Sequence, residues 1–87
     1  QVQLRSLYIS ILEELLRYDD ALAQVDLLEQ FIRDEELKPR VLLLRGRLLA
    51  QAGRKEEAIR VFDEVITDYK SSKELPRARA FKAVVNG

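Results

Sequence analysis

Four pairs of adjacent carboxylates, Glu13/Glu14, Asp19/Asp20, Glu35/Glu36 and Glu56/Glu57, are the side chains of this sequence most suited to chemistry. Two carboxyls could share general acid and base duties or hold a hard cation such as calcium. Neighbours in a helix, however, diverge by about 100° around its axis, so such a pair does not converge on one substrate. Asp19/Asp20 and Glu56/Glu57 open helical patterns, where acids are favoured by the positive end of the helix dipole. Glu13/Glu14 and Glu35/Glu36 fit solvated faces. The chain has no cysteine and no histidine. That excludes disulfides, thiolate chemistry, zinc fingers and imidazole acid/base catalysis. Gly-rich phosphate loops, a nucleophile beside a base and metal-ligand spacings are also missing from the sequence. The expectation is a protein with no catalytic, metal-binding or cofactor-binding residues.

The elements that position side chains here must be helices. With only 3 Gly and 2 Pro among 87 residues, the turn vocabulary of a hairpin-rich fold is missing. That length supports one domain. Hydrophobic residues at 47% and charged residues at 34% give enough apolar surface to fold. Apolar runs such as 41–44 are far shorter than the roughly 18 residues of a membrane span. The start, Gln1-Val2-Gln3-Leu4, lacks an initiator methionine and a secretory signal pattern, and reads as an excised or processed chain. The compartment is left open, with the cytoplasm favoured.

Helix one is expected over 3–17 from the stripe Leu4, Leu7, Tyr8, Ile11, Leu12, Leu15, Leu16, which follows three-four spacing. Helix two follows Asp19 and Asp20, expected as caps, and runs to near Glu36 on Ala21, Leu22, Val25, Leu28 and Ile32. Pro39 opens helix three, since proline in a first turn loses no hydrogen bond, and Gly53 ends it in the left-handed conformation. Helix four carries Ala58, Ile59, Phe62, Val65, Ile66 and Tyr69. Ser71-Ser72-Lys73-Glu74 has capping-box spacing ahead of Pro76 and a short fifth helix that ends by Val85. Short loops make neighbours antiparallel, giving an all-α array of about five helices in helix-turn-helix units.

Those units repeat. Tyr18-Asp19-Asp20-Ala21-Leu22 superimposes on Lys55-Glu56-Glu57-Ala58-Ile59 at a spacing of 37 residues (58 − 21). Leu42, Gly46, Leu49, Gly53, Ala58 and Phe62 are spaced so that the stretch resembles a tetratricopeptide repeat, whose period is about 34 residues. The pattern departs from the family at Leu42 for tryptophan, Arg45 for leucine and Lys70 for proline. In the first unit Ile9 replaces the packing glycine and Leu16 the stop glycine. The resemblance divides the chain into repeat one at 2–38, repeat two at 39–72, and a cap or partial third repeat at 73–87. It implies a fragment of an α-solenoid.

The resemblance further implies a scaffold that binds a partner peptide or helix on the concave face of its first helices. Carried over by position, that groove contains Gln3, Ser6, Ser10 and Glu13, then Arg40, Leu43, Arg47, Ala50 and Gln51, with Arg77 extending it. Leu43 is expected to give apolar contact, and Arg40, Arg47 and Arg77 to pair with an acidic partner. Serines at Ser6 and Ser10 do not match the lysine and asparagine of the branch that grips C-terminal carboxylates. A second expectation comes from charge. Fifteen basic and fifteen acidic residues cancel overall, yet residues 1–36 carry three basic and nine acidic (−6) and residues 37–87 twelve and six (+6). Opposite ends could join copies into a homo-oligomer or dock neighbouring repeats. The basic half lacks interleaved aromatics, so nucleic acid is not expected, nor is a membrane partner.

Overall fold

The computed structural model describes residues 2–87, with side chains from Leu7 onward. The described residues form five helices and no strand: α1 (Val2–Glu14), α2 (Tyr18–Phe31), α3 (Lys38–Gln51), α4 (Lys55–Asp68) and α5 (Leu75–Asn86). None is long and apolar enough to cross a membrane. Each helix packs on its chain neighbour, and α3 also meets α5, so the first helices of successive units lie in one row. The slab measures 29 × 28 × 15 Å.

Its backbone repeats at 37 residues with little deviation. Leu16 and Gly53 (53 − 16 = 37) both take positive φ, 60° and 84°. The following cap residues, Arg17 (φ −96°, ψ 69°) and Arg54 (φ −93°, ψ 64°), have the same conformation. Arg17 N donates to Leu12 O at 2.9 Å and Arg54 N to Leu49 O at 2.8 Å, closing the two turns identically. Both second helices have 14 residues. Pro39 and Pro76 (76 − 39 = 37) stand in the first turns of α3 and α5, which marks α5 as the first helix of a third unit. The loops between units also match, with six residues at 32–37 and six at 69–74.

The differences from expectation are local. α1 stops at Glu14 rather than 17, because the chain turns left-handed at Leu16. α2 ends at Phe31, short of Glu36, and Asp34 Oδ1 accepts from Glu36 N to stabilise the loop. Asp19 and Asp20 do not cap α2. They lie in its first turn, where they face the positive helix end. Nor does Ser71 form a capping box, since Ser72 Oγ accepts from Glu74 N and the helix starts at Leu75.

Leu16 combines a left-handed backbone with a side chain 70% exposed, so it carries strain and gains little from burial. Replacing it with the glycine found at the equivalent turn, Leu16→Gly, is expected to stabilise the chain by about 0.5–1 kcal/mol. Thermal melts should show a rise of several degrees, and a fall would mean that the turn is unstrained.

The core is one layer between the helices: Ile9, Leu12, Val25, Leu28, Leu48, Leu49, Phe62 and Val65 are all buried. Gly46 lies against the ring of Phe62. A Cβ there would stand 2.5 Å from Cε1 and 2.8 Å from Cζ, so only glycine allows this approach. Phe62 in turn stacks on Phe81 of α5, with centroids 5.7 Å apart.

Candidate functional site

The exposed face of the first helices is narrow because α3 is flanked by α2, α4 and α5. Three-four spacing leaves Arg40, Arg47 and Gln51 exposed along it, with Leu44 half-buried beside them. On α1 the same row holds Leu7 and Ser10, both exposed. α5 contributes Arg77 and Val84, exposed, and Phe81, half-buried. The side chains of Gln3 and Ser6 lie outside those described.

Leu43 requires a correction. It was expected to offer apolar contact to a partner, yet it is only 6% exposed and belongs to the core. The apolar residues that do reach this face are Val84 and the set Leu7, Leu44 and Phe81, the last three spaced 37 apart (44 − 7, 81 − 44). The internal repeat, extended through all three units, is the signal that finds them. Arg40 and Arg77 have the same spacing (77 − 40 = 37), so α3 and α5 each carry a cation and, four positions on, an apolar residue, while the sequence has Gln3 at the matching position of the first helix.

The cations differ in what holds them. Arg47 Nη2 donates to Glu13 Oε1 at 3.0 Å, so two of the expected site residues meet across α1 and α3. Arg77 Nη1 lies 3.5 Å from Glu74 Oε1. Arg40 forms no ion pair among the described residues. It also lines an open groove of about 710 Å³ between the α2–α3 and α4–α5 loops, with Glu36, Asp68, Lys70 and Lys73. That groove runs along the loop edge and meets the first-helix row at Arg40, and its mixed charges favour no single sign of ligand.

The opposed charges of the two halves largely meet inside the molecule. Arg45 of α3 pairs with Asp26 and with Glu29, whose Oε1 is shielded from solvent 2.9 Å from Nη1. Arg47 pairs with Glu13, and Arg54 lies 3.8 Å from Asp19. Lys82 repeats the Arg45–Asp26 contact one unit later, 2.6 Å from Asp63 (82 − 45 = 63 − 26 = 37). Each such surface pair contributes little, about 0–1 kcal/mol, and all of them lie between one unit and the next, at the rim of the shared apolar core.

Titration follows these contacts. The hydrogen bond from Arg54 holds the Glu57 carboxyl below its ordinary range, and the same bond raises the guanidinium. A depressed carboxylate contributes stability above its unfolded pKa and loses it as pH falls through the lower folded value. Lys38 is raised by its hydrogen bond to Glu35, so its contribution is complete below its unfolded pKa and disappears at higher pH. Both contacts are therefore intact around neutrality. None of these groups lies in an enclosed site where it could act as an acid or base.

No family model matches this chain, and no curated protein or solved structure matches it.

Proposed function

We propose that the chain is a non-catalytic, tetratricopeptide-like interaction module that takes an acidic partner peptide along the row of α1, α3 and α5. The observation that carries this reading is the matched pair of positions on consecutive first helices: Arg40 with Leu44, then Arg77 with Phe81. A peptide lying across the row would meet a cation and an apolar contact at α3 and again at α5, and the apolar Leu7 at α1, with the acidic groups recognised by charge-assisted hydrogen bonds. The packing of Gly46 on Phe62 and the left-handed stop at Gly53 agree with the family resemblance. The 37-residue spacing and Arg45, engaged with the preceding unit, depart from it.

Arg40→Glu is the informative change, since it reverses charge without breaking an ion pair. Arg47→Glu would also set an acid against Glu13. Against a displayed library of acidic peptides about ten residues long, spanning about 30 Å when extended, the wild-type chain is expected to select binders. Arg40→Glu should weaken the selected peptide by about 10- to 100-fold. Unchanged affinity would remove this face as the site. The alternative, joining of copies through opposite charge at the two ends, draws less support, because Arg45, Arg47 and Arg54 already engage acids of the first unit.

A further inference from the structure

The two ends of the array are finished differently. At the C-terminal end, α5 has Arg79, Ala80 and Asn86 where α3 has the buried Leu42, Leu43 and Leu49 (79 − 42 = 80 − 43 = 86 − 49 = 37). Small and polar residues thus stand at α5 positions that are core positions in α3, so this side of α5 offers little apolar surface to any neighbour. The N-terminal end has the opposite character. Tyr8, Ile11 and Leu15 of the first helix and its turn, with Leu27 and Phe31 of α2, are 38% to 60% exposed. Helical spacing puts the first three on the side of α1 that looks away from α3, and Leu27 and Phe31 on the adjoining side of α2.

Within the array this side is covered. Ile11 and Leu48 hold the same position (48 − 11 = 37), and Leu48 is 0% exposed because α2 lies over it. A preceding unit of the same kind would cover Ile11 likewise. Two substitutions argue against that occupant. Tyr8 stands where Arg45 and Lys82 reach back to an aspartate of the preceding unit, so the cation that would secure such a unit is missing (45 − 8 = 37). Leu27 and Phe31 stand where α4 has the exposed acids Glu64 and Asp68, so they add apolar surface that stacking inside the array does not use (64 − 27 = 68 − 31 = 37).

We propose that this end is an isologous dimer interface, covered by the same face of a second copy. A two-fold axis sets each face against itself, which penalises any face with unpaired charge. Here the cation has become tyrosine, and the nearby Asp20 is already paired with Arg17 at 2.6 Å. The five side chains present on the order of 400 Å² of apolar surface, enough for the core of a homodimer patch of about 800 Å² per subunit. The dimer forms independently of peptide binding, which uses a different side of α1, and independently of the charge at the two ends.

Sedimentation equilibrium of the 87-residue chain at concentrations up to about 1 mM tests this. Twice the 10.1 kDa chain mass is expected at low salt and again at about 1 M salt, where screening acts beyond about 3 Å. Ile11→Asp and Leu27→Asp should each give a monomer with unchanged helix content, since both positions are exposed, while Val84→Asp at the other end should leave the dimer intact. A monomer at every concentration overturns the proposal. So does a dimer that dissolves in salt, which would revive association through end charges, or one that survives both aspartates.

Discussion

Gly46→Ile is expected to remove most of the stability of the fold, at least about 3 kcal/mol of the roughly 4–13 kcal/mol typical for this length. The added side chain has nowhere to go. Its Cβ alone would fall 2.5 Å from Phe62 Cε1, and the ring is held from behind by Phe81. Phe62→Val alone is expected to cost about 2–4 kcal/mol through the cavity it leaves. Combining them should recover at least about 2 kcal/mol relative to the sum, because the first unit already uses that combination. Its equivalent positions are Ile9 and Val25 (46 − 9 = 62 − 25 = 37), both buried, so large and small residues have exchanged helices. Urea titration of the three variants measures the coupling. Strict additivity would show that the two positions do not share one space.

A second large effect separates residues that helical pattern treats alike. Leu48→Ala should cost about 2–5 kcal/mol, whereas Ile11→Ala in dilute solution, where the chain is monomeric, should cost less than about 1 kcal/mol. Both are aliphatic, central in a first helix and at the same place in the repeat. They differ in cover: Leu48 has α2 over it and Ile11 is 46% exposed. Thermal melts at low micromolar concentration should separate the variants by roughly ten degrees or more. Equal losses would mean that α1 is packed on this side even in the monomer.

Helix content was legible because periodicity needs only the order of apolar residues. The stripe of α4, the helix start at Pro39 and the stop at Gly53 follow directly from side-chain geometry and backbone sterics. The end of α1 was not, because nothing in a leucine announces positive φ. Leu16 takes that conformation because the turn it occupies is set by the packing of the helices on either side. Capping was misjudged for a related reason. Aspartate and serine can each bond to several nearby N–H groups, and the loop geometry decides which. At the candidate site, Arg40, Arg47 and Gln51 share a face by spacing alone. Leu43 shares that spacing too, yet it lies among the core residues, because cover by neighbouring helices is invisible along one helix. Leu7, Leu44 and Phe81 became recognisable only with the repeat carried through the third unit. The long-range pairs Arg45–Asp26 and Lys82–Asp63 likewise need the register between units, which no single helix encodes.

The near-identity of the turns at Arg17 and Arg54 also bears on how such a chain can change in length. A genetic duplication or deletion with breakpoints at these two turns adds or removes 37 residues (54 − 17) and rejoins backbone of matching φ and ψ. Such a splice would meet no conformational barrier at the junction. Side chains permit it too: the segment between these turns carries Asp26 on α2 and Arg45 on α3, so every added copy brings both partners of this contact between units, while Tyr8 on α1 lies outside it. A lineage of such proteins should therefore lengthen from the middle.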